Sequence, residues 1–380
     1  MLRAFLRRPT MSQPTESAAP NRVMAIDALR GFDMLWITGG REMLLGIAVL
    51  LTGSVPGWLD YHLGHPEWTG FSAWDMIMPL FLFITGASMP YSFAKYASPH
   101  RDYPRIYTKL ARRIALLWFF GMIVQGNLIE SIVSFDFSDL HLYSNTLQAI
   151  ASGYLVAALA LLYLPMAGQA VLCAAVLLLY WALMVSVPVP GHGAGLLEPD
   201  VNLAMYVDET VLGRFRDGTH YTWILSSLGF AGSVLLGVFS GHILRSGGSK
   251  AQKLGMLIAA GLACLAVGGI WAQFFPIIKH IWTSSMVLWA AGFSYLLLAF
   301  FFAVMDIGGY KRWAFAFMVI GANALLAYMG GELIVGIFTG AAEQALGESR
   351  LIEGAAAALA FGLMWAALYG LYRKRWFLRV

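Results

Sequence analysis

The residue types able to do chemistry gather at His65 and Asp75, ten positions apart in HPEWTGFSAWDMIMPLFLFITGASM (His65–Met89). Histidine, with an unperturbed pKa of about 6.5, exchanges protons near neutral pH. A carboxylate beside an imidazole can fix its tautomer and stabilise its charged form. Such a pair suits removal of a proton from an amine or hydroxyl, and the imidazole can also attack an acyl group itself. The residues leave base and nucleophile open. Plainer readings stand beside these: His65 as a loop histidine like His62, His141, His192 and His220, and Asp75 as the acid of a Ser72-x-x-Asp75 cap at a helix start. Glu67 and Trp68 share the short polar lip and are candidates to contact a substrate there.

Further polar residues interrupt apolar stretches. Asp27 and Arg30, three apart, share one helix face. They read either as a dipole-favoured acid with an interfacial arginine or as an anion site for a phosphate group. Arg112 and Arg113 are further candidates to meet phosphates, and Gln148 and Asn323 to line a path at intermediate depth. Asn323 and Glu332 lie about 180° apart around one helix. Glu332 either reaches an external interface or contacts substrate. No zinc-ligand spacing, phosphate-binding glycine loop or nucleophile elbow occurs, so no metal is expected.

The elements that must hold these residues are membrane spans. Of 380 residues, 59% are hydrophobic and 12% charged, against about 25% charged in soluble proteins. Apolar runs of about 17–25 residues recur, which favours helical spans over a barrel. They fall near 28–51, 72–94, 114–130, 146–164, 170–187, 222–244, 254–275, 283–305, 313–337 and 352–372. The third is the weakest, interrupted by Gln125, Asn127 and Glu130. The expected fold is therefore all-α: a polytopic integral membrane protein of about ten helices, with residues 22–380 forming one transmembrane domain. Residues 1–21 read as a flexible cytoplasmic tail. Cys173 and Cys264 lie within apolar runs and read as packing residues.

Ten spans put both termini on one side. With that side cytoplasmic, 20 of the 25 Lys and Arg residues lie inside and 5 outside, a strong positive-inside bias. His65 then falls in the first external loop, and 188–220 becomes the longest external connection, long enough to cover or line something. Gly229, Gly232, Gly237 and Gly241 in the sixth span should let neighbouring helices approach closely. The basic residues sit in short loops and are no sign of nucleic-acid binding.

These stretches resemble the lysosomal heparan-α-glucosaminide N-acetyltransferase family and its bacterial membrane relatives. The matching pieces are IDALRGFDM (Ile26–Met34), the His65–Met89 block, IWTSSMVLWAAGFSYLLLAFF (Ile281–Phe301) and GANALLAYMGGE (Gly321–Glu332). The resemblance implies an acyltransferase of a bacterial inner membrane, with His65 active and Asp75 beside it. Acetyl would pass from cytoplasmic acetyl-CoA, a cosubstrate, to an amino sugar or other glycan acceptor outside. Donor contacts would fall on Arg30, Asp27, Arg112, Arg113, Gln148 and Asn323, and acceptor contacts on Glu67, Trp68 and Glu332. The acceptor's identity, N- against O-transfer and homodimerisation stay open. A transporter or flippase for a sugar- or lipid-linked substrate, using the same acids and histidine as a relay, is the main alternative, with a membrane scaffold behind it.

Overall fold

Lipid offers no hydrogen bonds to a backbone, so a chain this apolar must satisfy its peptide groups within its own helices. The computed structural model describes residues 23–96 and 102–378. Among them, regular structure is helical apart from three isolated β-bridges. The expected tail, 1–21, lies outside the described residues. In chain order the helices are α1 (Met24–Leu35), α2 (Arg41–Thr52), α3 (Gly57–Leu63), α4 (Ile77–Phe93) and α5 (Tyr103–Val124). Then come α6 (Leu128–Ser134), α7 (Thr146–Tyr163), α8 (Met166–Ser186), α9 (Leu203–Leu212) and α10 (Ser227–Arg245). The last five are α11 (Lys250–Trp271), α12 (Ser284–Phe301), α13 (Phe315–Ala322), α14 (Ala324–Leu346) and α15 (Arg350–Arg373). Nine helical stretches among the described residues are long and apolar enough to cross a membrane, and the bent pair α5–α6 brings the number to ten. The protein is an all-α, polytopic membrane protein.

Two of the later spans differ in shape from the expectation. The third starts well before residue 114, because Asp102 accepts from the Arg105 N–H and caps α5 at Tyr103. It then bends by 66° between α5 and α6, where Asn127 takes a positive φ of 53°. The ninth is broken at Asn323 (φ −128°, ψ 42°), and its long apolar helix runs on to Leu346. Both breaks fall at polar side chains able to compete for backbone hydrogen bonds.

The chain divides into two compact units. One holds the described residues up to His65, the segment Ser72–Ile77 and those from Leu297 onward. Here α1 and α2 form a single interrupted span: Thr38 (φ −98°, ψ 28°) and Gly39 (φ 109°) depart from helical geometry between them. α1 crosses α13 with no room for side chains. A Cβ on Gly31 would lie 1.7 Å from the Phe317 carbonyl oxygen, and one on Gly321 would lie 2.2 Å from that of Asp27. Leu45, Ala48, Leu59 and Leu63, with Trp36 and Trp74 against them, pack α3 onto α2.

The other unit holds Pro66–Phe71 and Met78–Leu296. Its centre is α10, whose small residues act as expected. A Cβ on Gly237 would lie 2.0 Å from the Phe83 carbonyl oxygen of α4, and Gly229, Gly232 and Gly241 are similarly closed against Trp282, Leu177 and Ala87. The long 188–220 connection carries α9, capped by Asn202 and pinned by Asp208, whose carboxylate accepts from the Trp223 and Ile224 N–H groups at 2.6 and 2.9 Å.

Burial pushes the Asp208 carboxyl up to about 6, against the lowering effect of those two N–H bonds. Its contribution to stability is therefore greatest below about pH 4 and is lost as pH rises through about 6. Asp208→Asn should flatten the change in melting temperature across that window, measured from pH 4 to 7 in detergent.

Candidate active site

α3 ends at Leu63, Gly64 turns the chain, and His65 follows with its side chain 38% exposed. Ser72–Ile77 returns to the same unit and brings Asp75, whose side chain is 2% exposed. The His65 Nδ1 lies 2.6 Å from Asp75 Oδ1. With Nδ1–H donating to that carboxylate, the basic lone pair of the imidazole is at Nε2. The second carboxylate oxygen, Oδ2, accepts from the Ser72 N–H at 2.9 Å, while Ser72 Oγ accepts from the Asp75 N–H at 3.2 Å. This is a reciprocal capping box at the entry to α4. Asp75 therefore meets His65 through one carboxylate oxygen and the Ser72 N–H through the other. The Ser72 hydroxyl in turn donates to the Gly64 carbonyl at 2.7 Å, tying the two edges of the lip together.

Arg41 also supports this corner. It donates from Nε to the Leu63 carbonyl at 2.7 Å, and its guanidinium lies 5.5 Å from the Trp74 ring centre. Its one visible signal was an arginine directly after Gly39-Gly40, where the first span is interrupted.

Trp68 and Glu67 belong to the second unit. Glu67 is exposed. Trp68 donates from Nε1 to the Leu197 carbonyl at 2.7 Å, stacks on His280 with ring centres 5.1 Å apart, and meets His220 edge-on. Tyr221 packs against His280 at 4.5 Å. The Gly70 N–H, bonded to the Ile277 carbonyl at 2.9 Å, holds the strip of chain carrying Trp68. The 188–220 connection thus lies against this aromatic platform, to which His220, Tyr221 and His280 add residues the sequence did not single out. Nothing in their spacing announces the grouping. The side chain of Glu332 lies outside the described residues.

The expected donor contacts separate into two kinds. Arg30 and Asp27 form an ion pair of 3.2 Å on the shared face read from their spacing. Arg112 is exposed, whereas Arg113 lies over the Tyr154 ring at 4.2 Å, its Nε without a hydrogen bond among the described residues. Gln148 and Asn323 are already committed to backbone. Gln148 accepts from the Ser144 N–H and donates to the Leu142 carbonyl, closing the turn before α7. Asn323 donates to the Trp376 carbonyl and accepts from the Leu378 N–H, holding the segment after α15.

No family model matches the chain. Two curated relatives do. Heparan-alpha-glucosaminide N-acetyltransferase of Homo sapiens is 24% identical over 380 residues, covering 85% of this chain and 54% of the relative. Its Mus musculus counterpart is 22% identical over 426 aligned residues, covering 96% of this chain and 62% of the relative. The chain is similar to heparan-alpha-glucosaminide N-acetyltransferases. It spans about half to three-fifths of the length of these relatives. The similarity agrees with the resemblance drawn from the four motifs, one of which contains the His65–Asp75 pair.

Ser72→Ala should lower stability by about 0.5–2 kcal/mol, the usual cost of losing a cap. A fall in melting temperature is the measure; an unchanged value would show that the lip does not depend on Ser72.

Proposed function

We propose that this protein is a membrane acyltransferase. It would take acetyl from acetyl-CoA on the cytoplasmic face of a bacterial inner membrane and deliver it to an amino sugar or other glycan acceptor outside. The observation that carries the reading is the 2.6 Å contact between His65 and a buried Asp75 that a capping box holds in place. The two curated relatives support the acyl-transfer class, and the distribution of basic residues supports the orientation.

In this reading Nε2 of His65 takes the proton from the acceptor amine or hydroxyl as that atom bonds to the acetyl carbon. The carbon–sulfur bond then breaks and CoA leaves as the thiolate. Asp75 keeps Nδ1–H oriented and stabilises the imidazolium that forms. Its role does not require its own protonation. Arg30, paired with Asp27, and Arg112 and Arg113 are the proposed contacts for donor phosphates, since guanidinium groups suit phosphate geometry. Gln148 and Asn323, committed to backbone, would shape the donor's route through the turns they close. Glu67, Trp68 and Glu332 are the proposed acceptor contacts. A flat indole suits the apolar face of a sugar ring, and an acid suits its hydroxyl or amino groups.

His65→Ala should lower acetyl transfer by about 10²–10⁴-fold, the usual contribution of a general base, with CoA affinity unchanged. Turnover like that of the wild type would remove His65 from the mechanism. Asp75→Asn should slow transfer strongly while leaving the melting temperature near wild type, because an amide oxygen still accepts from the Ser72 N–H. Equal losses of rate and stability would reduce Asp75 to its cap.

Vectorial transfer is tested in sealed vesicles of known orientation. Acetyl-CoA enclosed on the cytoplasmic face and an impermeant amino sugar on the other should yield acetylated sugar. Product formed only when both reagents share the cytoplasmic face would overturn the orientation.

A further inference from the structure

Three aspartates are buried among the described residues: Asp33, Asp75 and Asp208. Asp75 and Asp208 each receive backbone N–H groups. Asp33 does not. It is 1% exposed, and neither of its carboxylate oxygens has a hydrogen-bond partner among the described residues. Leaving a buried polar group unmatched costs about 1–3 kcal/mol, and more for a charged one. Local structure offers no compensation. Asp33 lies in the last turn of α1, where the helix dipole disfavours negative charge. It caps nothing and is no part of the Asp27–Arg30 ion pair.

A second observation is independent of the first. Five residues on, the span is interrupted at Thr38 and Gly39. Irregular backbone at membrane depth survives where it is enclosed by protein or lines a cavity, and discontinuous spans with polar groups beside the break are a recurrent way of building membrane binding sites. Asp33 is also placed between the two ends of its own unit. It lies about 14 Å along the helix from Met24, counting 1.5 Å per residue, and Arg41, which grips the His65 turn, follows on the far side of the interruption.

We propose that Asp33 is a ligand contact, accepting hydrogen bonds from the secondary-amide N–H groups of the acyl donor's pantetheine arm. This rests on the reading of acetyl-CoA as donor. A group that passes from the Arg30 end toward His65 along an apolar helix must itself be largely apolar, yet must present hydrogen-bond donors where the carboxylate lies. The pantetheine arm has that alternation, amide N–H groups separated by carbon chains. A purely apolar acyl chain would offer the carboxylate no hydrogen-bond donor.

The test uses the full chain in lipid nanodiscs. Calorimetry measures the affinity of CoA, of pantetheine and of the nucleotide half of CoA for the wild type, Asp33→Leu and Asp33→Asn. Leu should weaken CoA and pantetheine binding by about 10–100-fold, the cost of leaving a buried amide N–H without an acceptor. Binding of the nucleotide half should not change. Asn, which keeps one acceptor oxygen, should lose less, and it decides the matter if the Leu variant does not fold. The ligand-free Leu variant should melt no lower than the wild type, because it loses an unmatched buried carboxylate. Unchanged pantetheine affinity in both variants, or an equal loss for the nucleotide half, would overturn the inference. A wild type that binds no CoA would instead remove the donor reading, and this inference with it.

Discussion

Asp75 has two oxygens, and each holds a different piece of the chain. Oδ2 takes the Ser72 N–H and so starts α4, while Oδ1 takes His65 and so orients the imidazole. Helix nucleation and site geometry therefore share one side chain. The coupling has a physical consequence. An aspartate fixed by a cap has few rotamers left to it, so the imidazole it holds is pre-organised with little further ordering to be done. The surrounding contacts extend the same rigidity: the Ser72 hydroxyl on Gly64, Arg41 on Leu63 and Trp74, and the apolar packing of α3 against α2.

Away from that corner, the polar residues of the spans serve two different ends. Most close their own hydrogen bonds. Ser240 and Ser294 donate back along their helices, Tyr295 donates to the Leu236 carbonyl, and Trp282 donates to Ser233. In lipid such bonds are modest stabilisers, but leaving them unmade is costly. Gln148 and Asn323 belong to this group, which is why polarity at depth is by itself a poor guide to a binding path. Asp33 does not belong to it. Among the described residues its carboxylate is left unmatched while the other buried aspartates are satisfied, which costs stability.

The spans, their order and the general fold class could be read from the amino-acid sequence. An apolar run of sufficient length has one stable conformation in lipid, so composition and length settle most of the architecture before packing is considered. Local signals were legible too, because their partners are a few positions away: the Ser72–Asp75 box, the Asp27–Arg30 pair and the weak point around Gln125 and Asn127. The glycines of α10 announced close helix packing, but not that Phe83 and Ala87 would be what they meet.

What the sequence could not decide was which of several equivalent residues meet. Six histidines stood in the expected external loops, and only the folded chain brings Asp75 to 2.6 Å from His65. Trp68 finds the Leu197 carbonyl 129 positions away, and Asn323 finds Trp376 across 53. Such contacts depend on the register of packed helices and the course of loops between them, which periodicity and composition leave undetermined. The same holds for Asp33. Its type and place were visible from the start, but its lack of a partner among the described residues is a property of everything packed around it. Local hydrogen bonding and the lipid solvent are encoded along the chain, whereas long-range pairing exists only once the chain is packed.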